Sequence, residues 1–313
     1  RCNLNCDHCY LDAEFRGGIK TDELNTEECF RVIDQIAEVN PNAFLILTGG
    51  EPLLRPDIYD IIRYAANKKF MVVLGTNGTM INRVNAEKIK AAGAHGVGIS
   101  IDSMNPDKHN KFRGVEKAWE HSMEAFDILN EVGVDFLVQM SVSDMNYKEI
   151  PEVVEFTEKI GAIAFNLYFL VCTGRGQGNT DISNAAYEEA LKLLYEQQMK
   201  YKGKLMINSK CAPQYKRVVY ENDPDSVYTR TYSGGCPAAT HYSRISPEGN
   251  LTPCPFIEES VGNLKSRTFK DLWENSPLMV QLRDRNELDG KCGSCEFSAM
   301  CSGCRARAFA ETG

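Results

Sequence analysis

The first ten residues place three thiols and one imidazole close together in the chain. Cys2, Cys6 and Cys9 have the spacing C-x3-C-x2-C, and His8 directly precedes the last of them. Three thiolates can hold three corners of a [4Fe–4S] cube, which leaves one iron free to bind a small chelating molecule. A zinc site with His8 as fourth ligand is the alternative. Because His8 adjoins Cys9, a closed tetrahedron with the same three cysteines is awkward, and the spacing favours iron–sulfur over zinc.

A glycine-rich turn follows an apolar stretch, residues 43–48, that we predict to be a strand. The turn consists of Gly49, Gly50, Glu51 and Pro52. Paired glycines let a ligand approach the backbone closely, and the carboxylate of Glu51 could receive an amino group. An ordinary turn would use the same residues, so this segment indicates chemistry only in combination with the thiols before it.

A second group of cysteines lies near the end of the chain. Cys236 is followed after twelve residues by Gly249, and Gly249 after four residues by Cys254. A denser group with gaps of two, five and two residues comes next: Cys292, Cys295, Cys301 and Cys304. In isolation the denser group could be a zinc ribbon. Tight clusters in a long chain that lacks a secretory signal favour metal ligation over disulfides.

Together, the C-x3-C-x2-C segment and the turn after residue 48 resemble the motifs of the radical S-adenosylmethionine superfamily. The resemblance implies that Cys2, Cys6 and Cys9 ligate the cluster, and that the methionine amino and carboxylate groups of the cofactor chelate its open iron. It further implies these contacts with the cofactor: Tyr10 with the adenine, Gly49, Gly50, Glu51 and Pro52 with the amino group, Asn77, Ser100 and Asp102 with the ribose and carboxylate, and Arg113 with the carboxylate. Without the resemblance, each of these polar residues would be assigned to a turn or a helix cap. No residue is assigned as a catalytic acid or base.

The resemblance also implies a mechanism. An electron from the cluster enters the sulfonium of S-adenosylmethionine, the S–C5′ bond breaks, and the resulting 5′-deoxyadenosyl radical removes a hydrogen from the substrate. The protein then has to position the reactants and exclude water and oxygen, because the cofactor carries the difficult chemistry.

The cysteines near the end resemble the SPASM extension, which carries up to two auxiliary [4Fe–4S] clusters in part of this superfamily. By position, one cluster would be held by Cys236, Cys254 and Cys304 with Cys211 as candidate fourth ligand, and the other by Cys292, Cys295 and Cys301. The usual last ligand of the second cluster lies beyond Cys304, and none follows before Gly313. Either truncation removed it or that cluster has an open iron.

The elements that must position these residues alternate between strands and helices. Asn25 and Glu28 form a capping pattern for a first helix. Apolar runs predict strands at 43–48, 71–75, 97–101, 136–142 and 165–171, and helical periodicity predicts helices after Pro56 and at 84–92, 115–132 and 151–160. We expect a sixth strand before residue 1. The prediction is an α/β fold, a partial (βα)6 TIM-like barrel with the cluster loops at the carboxyl ends of its strands.

The alternation ends at a glycine-rich loop, residues 174–178. A helix at 187–201, a short strand near 205–208 and a hairpin at 243–255 follow. We place a domain boundary between residues 178 and 205. The predicted division is a radical S-adenosylmethionine barrel at 1–190 and a cysteine-rich auxiliary cluster domain with its linker at 191–313.

Composition limits the classes of partner. The formal net charge is −8, which argues against nucleic acid or an anionic membrane as the main partner. No run is long and apolar enough for a transmembrane helix, and no signal peptide opens the chain. We expect a reducing cytoplasm, a peptide or cofactor substrate, and a low-potential electron donor such as ferredoxin or flavodoxin.

The resemblance implies a maturase that modifies an enzyme cofactor or a peptide. Residues 165–178 and the arginine-rich end suggest the order tungsten-cofactor maturation, tetrapyrrole tailoring and ribosomal-peptide crosslinking. The non-enzymatic alternative is a multi-cluster iron–sulfur electron carrier, for which the paired glycines and Glu51 would be superfluous. A third hypothesis, a zinc-structured interaction protein, predicts zinc without sulfide.

Overall fold

A parallel sheet of six strands forms the larger part of the molecule. The computed structural model describes residues 1–15, 17–18, 20–176, 182–230 and 235–312. The strands pair in chain order, each parallel to the next: β1 (Phe44–Leu47), β2 (Met71–Thr76), β3 (Gly96–Ser100), β4 (Phe136–Val142), β5 (Ala164–Phe169) and β6 (Met206–Lys210). Sequential order without an inserted strand is the topology of a barrel segment.

Helices connect these strands and cover one face of the sheet. They are α1 (Thr26–Val39), α2 (Ile58–Asn67), α3 (Arg83–Ala91), α4 (Pro106–Arg113), α5 (Ala118–Val132), α6 (Ile150–Lys159) and α7 (Asn184–Lys200). At the start of α1, Asn25 and Glu28 form the predicted capping box. The sheet curls into a half-barrel with the helices outside, and the predicted fold class is confirmed.

The two faces of the sheet differ in composition because successive side chains along a strand alternate in direction. On the convex face, apolar side chains such as Leu74, Ile99 and Val138 are fully buried beneath the helices. The opposite, concave face is open. Its amino-terminal ends carry exposed Phe44 and Met71, and its carboxyl ends carry polar residues.

The sixth strand differs from the prediction. The segment near 205–208, which we had placed after the barrel, is β6, and it pairs with β5 in register Tyr168↔Lys210. The count of six strands is therefore completed at residue 210 and does not depend on a strand before residue 1. The division after residue 190 stays a prediction. Residue 190 lies within α7. Of the loop predicted at 174–178, positions 177 and 178 lie outside the described residues.

One face of β1 is exposed, although the strand is apolar throughout. Phe44 is 53% and Ile46 40% exposed. Both point to the concave face, where no helix covers them. An apolar run in the sequence does not distinguish a face that packs on helices from a face that lines an open cavity.

The remaining residues form a smaller unit of short elements. These are α8 (Tyr215–Asn222), α9 (Val227–Arg230), β7 (Arg244–Ile245), β8 (Asn250–Thr252), β9 (Gly262–Asn263), α10 (Phe269–Asn275), α11 (Pro277–Arg283), α12 (Gly290–Gly293), α13 (Ser298–Cys301) and α14 (Arg305–Thr312). The predicted hairpin is the antiparallel pair β7 and β8. Within the described ranges, no helix has the length and apolar character needed to span a bilayer.

Candidate metal centre

The first three cysteines lie in an irregular loop, and each sulfur accepts a hydrogen bond. Cys2 Sγ accepts from the amide of Leu4 at 3.4 Å, and Cys9 Sγ from the amide of Ala13 at 3.5 Å. Cys6 Sγ lies 3.9 Å from Nη1 of Arg113. Donors directed at sulfur stabilise negative charge on it, as a metal-bound thiolate requires.

Three thiols, each with an N–H group directed at its sulfur, suit three corners of a [4Fe–4S] cluster. Among the described residues, no group of three or more His, Cys, Asp or Glu side chains converges tightly enough to hold one metal ion. A tetrahedral zinc would draw its sulfur ligands to within about 4 Å of one another, whereas each cysteine of a [4Fe–4S] cluster binds a different iron. His8, the alternative ligand, instead stacks on Phe112 with ring centroids 4.0 Å apart.

The turn after β1 lies directly against the cysteine loop. The amide of Glu51 donates to the carbonyl of Arg1 at 3.1 Å. A Cβ on Gly50 would lie 1.9 Å from that same carbonyl oxygen. Glycine is therefore required at residue 50 for the two loops to meet.

Glu51 is buried, and its carboxylate is held by groups at the end of β2. Thr76 Oγ1 donates to it at 2.8 Å, and the amide of Asn77 at 3.0 Å. Burial raises the pKa of Glu51, and these hydrogen bonds oppose that rise. Glu51 thus orients the turn. Thr76 was missed by the sequence analysis, although its place at a carboxyl strand end was the available signal.

Three further predicted cofactor residues occupy different places around this loop. Asn77 donates to Oδ1 of Asn3 at 2.8 Å and is close to Cys2 Sγ. Ser100 ends β3 and is half-buried on the concave face. Tyr10 contacts Phe256 of the smaller unit, with ring centroids 4.7 Å apart, and burial raises its pKa to about 12. The cofactor contacts assigned to these residues stay predictions.

Asp102 and Arg113, both predicted to contact the cofactor, form a buried ion pair with each other. Their closest atoms, Arg113 Nη2 and Asp102 Oδ2, are 2.6 Å apart, and Asp102 Oδ1 also accepts from the amide of Ser141. Burial acts to lower the pKa of Arg113, but the charges of Asp102 and Cys6 raise it above its usual value. A permanent positive charge therefore lies behind the cysteine loop.

Removing Arg113 is expected to destabilise the protein strongly. In an Arg113→Met variant, Asp102 would stay buried without its partner, which typically costs about 3–5 kcal/mol. Adding Asp102→Asn should restore part of the loss. The measurement is urea-induced unfolding. Arg267→Met, which breaks an exposed pair with Asp271, is the matched control and should give no resolvable change. A similarly small loss for Arg113→Met would contradict the prediction.

A buried histidine next to this pair makes stability depend on pH. His109 Nδ1 accepts from the amide of Asp102 at 3.2 Å. Burial, assisted by the charge of Arg113, lowers the pKa of His109 from its ordinary 6.5 to about 3. Below about pH 6.5 this histidine becomes protonated in the unfolded chain but stays neutral in the folded chain. The free energy of unfolding therefore falls as the pH decreases from 6.5 towards 3.

Replacing His109 should remove the contribution of this residue to the pH dependence. An Asn side chain can offer an acceptor in place of Nδ1 but does not titrate. Between about pH 7.5 and about pH 5.5, wild type is expected to lose about 1.4 kcal/mol more than His109→Asn in the free energy of unfolding. Urea titrations at the two pH values measure this difference, and equal losses would show that His109 is not the responsible group.

Arg175, which sequence reasoning did not single out, holds the cysteine loop from the end of β5. Its side chain donates to the carbonyl of Cys6 at 3.2 Å and to that of Ala13 at 3.0 Å, and its amide donates to the carbonyl of Cys9. The signal was present, because Arg175 belongs to the glycine-rich loop that was interpreted only as a boundary.

The four cysteines assigned to the first auxiliary cluster lie in one region of the structure. Cys236, Cys254 and Cys304 are buried together, and Cys211 packs against them. Burial raises the pKa of Cys254 to about 12, whereas a hydrogen bond from Cys304 lowers the pKa of Cys236. Cluster ligation by this group stays a prediction.

The other three cysteines lie near one another at the surface, in and around α12 and α13. Burial raises the pKa of Cys301, and the neighbouring thiols Cys292 and Cys295 add to that rise. Cys292 is exposed. None of the twelve cysteines, all of which the structure describes, forms a disulfide.

Two family models match the chain, one in each unit. The model described as the radical SAM superfamily matches residues 1–157. The SPASM model, described as an iron–sulfur cluster-binding domain, matches residues 236–296.

Individual proteins resemble the chain over its full length. It is 38% identical to the AdoMet-dependent heme synthase of Methanosarcina barkeri, covering 100% of this chain and 90% of the relative. The AdoMet-dependent heme synthase of Nitratidesulfovibrio vulgaris is 34% identical, with coverage of 100% and 86%. Among solved structures, Streptococcus suis SuiB bound to S-adenosylmethionine superposes with a TM-score of 0.77 at 20% identity, covering 99% of this chain and 72% of SuiB.

Proposed function

Because the chain belongs to the radical S-adenosylmethionine superfamily, we propose that it is a tetrapyrrole-modifying enzyme of the heme-synthase type. Family membership makes the chain an enzyme that uses [4Fe–4S] clusters and S-adenosylmethionine, and the non-enzymatic carrier and zinc hypotheses are set aside. One observation carries the tetrapyrrole proposal: the identity with two heme synthases extends through both cysteine-bearing units.

This proposal reverses the order suggested by the sequence. Tungsten-cofactor maturation, which the sequence ranked first, has no counterpart among the relatives named above and stays a prediction. Tetrapyrrole tailoring, ranked second, is the activity that their names support. An open concave face with an exposed apolar floor, to which Phe44 and Met71 contribute, suits a large flat substrate.

The residues around the cysteine loop have definable tasks in this reaction. When bound, the cluster supplies the electron that cleaves S-adenosylmethionine into methionine and a 5′-deoxyadenosyl radical. Cys2, Cys6 and Cys9 would hold that cluster, and the N–H groups directed at their sulfurs would stabilise the thiolate charge. Gly50 has no side chain, so the carbonyl of Arg1 can approach the turn closely. Tyr10, in contact with Phe256, closes the site towards the smaller unit and limits the access of water.

The test is turnover with a tetrapyrrole under anaerobic conditions. Reconstituted protein would receive a chemical reductant, S-adenosylmethionine and iron coproporphyrin III, the tetrapyrrole in the name of a 30% identical relative, the Fe-coproporphyrin III synthase of Methanosarcina barkeri. Formation of 5′-deoxyadenosine and the tetrapyrrole mass would be followed together. Formation of 5′-deoxyadenosine in proportion to a tetrapyrrole of changed mass supports the proposal. Formation of 5′-deoxyadenosine with the iron coproporphyrin III recovered unchanged would refute it and direct the search to a tungsten cofactor or a peptide.

An electron donor is also required, since the superfamily depends on one-electron reduction of its cluster. A low-potential ferredoxin or flavodoxin is the donor that we propose. Replacing the chemical reductant by each protein in the same assay tests this.

A further inference from the structure

Asn77, the first residue after β2, is buried and has each of its polar groups bound within the protein. Its backbone amide donates to Oε2 of Glu51 at 3.0 Å, and its carbonyl accepts from Oγ of Ser122 at 2.9 Å. In the side chain, Oδ1 accepts from Oγ1 of Thr79 at 2.7 Å, and Nδ2 donates to Oδ1 of Asn3 at 2.8 Å. All four polar groups of Asn77 therefore have partners, as buried polar groups generally do.

The orientation of the Asn77 amide follows from one backbone contact. The backbone N–H of Thr79 can only donate, and it meets Oδ1 of Asn77 at 3.0 Å. The atom at this place must be the oxygen, so the other atom of the amide is the nitrogen with its two hydrogens. This nitrogen, Nδ2, donates to Asn3 and also lies 3.9 Å from Sγ of Cys2.

Asn3, Asn77 and Thr79 close a ring of side-chain hydrogen bonds. Asn77 donates to Asn3, Nδ2 of Asn3 donates to Oγ1 of Thr79 at 2.7 Å, and that hydroxyl donates to Oδ1 of Asn77. Each group in the ring has a defined role as donor or acceptor, which restricts rotation of all three side chains. Through Asn3 the ring joins the cysteine loop to the end of β2, although the two residues are 74 positions apart in the chain.

The sulfur of Cys2 lies between this ring and its own loop. The amide of Leu4 donates to it at 3.4 Å from within the loop, and Nδ2 of Asn77 faces it from the ring. Oδ1 of Asn3 is 4.0 Å from the same sulfur, and a thiolate cannot donate to that oxygen. Asn77 binds this oxygen and at the same time offers the thiolate an N–H. Such donors stabilise the reduced form of an iron–sulfur cluster, because reduction adds negative charge.

We propose that Asn77 is a positioning residue of the radical-generating cluster, which holds Cys2 in place and donates an N–H to its sulfur. The ring with Asn3 and Thr79 fixes that orientation. This role differs from the contact with ribose and carboxylate that the sequence resemblance implied, because the side chain uses its oxygen and both its amide hydrogens within the protein. The inference needs the cluster but no particular substrate, so it does not depend on tetrapyrrole modification.

The midpoint potential of this cluster, measured without S-adenosylmethionine, tests the proposal. Reconstituted protein would be reduced in steps and followed by electron paramagnetic resonance. The relevant signal is the one that is absent when Cys2, Cys6 and Cys9 are all replaced by Ala. Asn77→Asp keeps the shape of the side chain but replaces the donor by a charged acceptor. It should favour the oxidised cluster by about tenfold or more, which is a shift of about 59 mV or more to negative potential for one electron.

Thr79→Val tests the ring without changing Asn77, because it removes only the hydroxyl that orients the amide. The potential should shift in the same direction by a smaller amount, and Thr79→Ser, which keeps the hydroxyl, should have the wild-type value. Asn42→Asp is the matched control, since it adds the same charge at an exposed position between α1 and β1. It should leave the potential unchanged. Isothermal titration with S-adenosylmethionine accompanies each measurement, and Thr79→Val should retain wild-type affinity for the cofactor.

Three results would overturn the inference. The first is a wild-type potential in both Asn77→Asp and Thr79→Val. The second is a wild-type potential in Asn77→Asp with a loss of affinity for S-adenosylmethionine, which would restore the direct cofactor contact. The third is an equal shift in Asn42→Asp. If Asn77→Asp fails to take up the cluster, the comparison of Thr79→Val with Thr79→Ser decides the question. Because these measurements contain no tetrapyrrole, their failure is distinct from failure of the proposed function.

Discussion

Protein in which Cys2, Cys6 and Cys9 are all replaced by Ala is expected to form no 5′-deoxyadenosine above background after reconstitution. The structure brings the three thiols into one loop and directs an N–H donor at each sulfur. Without them the radical-generating cluster has no ligands, and the iron content should fall by about four atoms per chain. The measurement pairs an iron and sulfide count with chromatography of the nucleoside product.

A cysteine outside the three groups provides the control. Cys29 lies on α1, is half-buried against the core and donates weakly to the carbonyl of Leu24. Cys29→Ala should retain both the full iron count and the formation of 5′-deoxyadenosine. If the triple variant kept either the four irons or the product, the assignment of the first three cysteines would be wrong.

Gly50→Ala is expected to abolish activity through a single methyl group. The new Cβ would lie 1.9 Å from the Arg1 carbonyl oxygen and 3.1 Å from Cys2 Cβ, distances at which the two loops cannot remain in contact. Overpacking commonly costs about 1–3 kcal/mol, and here the neighbours are backbone atoms that cannot rotate away. The turn should separate from the cysteine loop, with loss of S-adenosylmethionine binding and of 5′-deoxyadenosine.

Gly18→Ala is the matched substitution, because a Cβ there meets nothing within 4 Å. It should leave iron content, cofactor affinity and product formation at wild-type values. Isothermal titration with S-adenosylmethionine compares the two variants directly. Undiminished affinity in Gly50→Ala would mean that the contact between the loops is not needed for cofactor binding.

The sequence was sufficient for those features that depend on local pattern. Regular alternation of apolar runs placed all five strands from β1 to β5, and the capping pair Asn25 and Glu28 placed the start of α1. The spacing of the cysteines, through its resemblance to a known superfamily, grouped Cys211 with thiols that become neighbours only in the fold.

Features that depend on distant contacts could not be predicted in this way. Helix α4 was missed because its middle is polar, which hides the helical period, and only Asn105 and Pro106 at its start indicate it. The pairing of Asp102 with Arg113 was missed with it, since a charged residue does not reveal whether its partner is a ligand or another side chain. Arg175 reaches a loop 169 residues away, a separation that no local pattern encodes.

The residues that contact the cysteine loop also determine when its metal site can form during synthesis of the chain. Arg113 and Arg175 follow Cys6 by 107 and 169 residues, and Phe256, which contacts Tyr10, comes later still. At about 5–20 residues per second, Arg175 leaves the ribosome roughly 8–34 s after Cys6. During that interval the three thiols lack the groups that shape their site. The metal site of this loop can therefore take its final shape only after the chain has been made as far as Phe256, and until then its three thiols are open to oxidation.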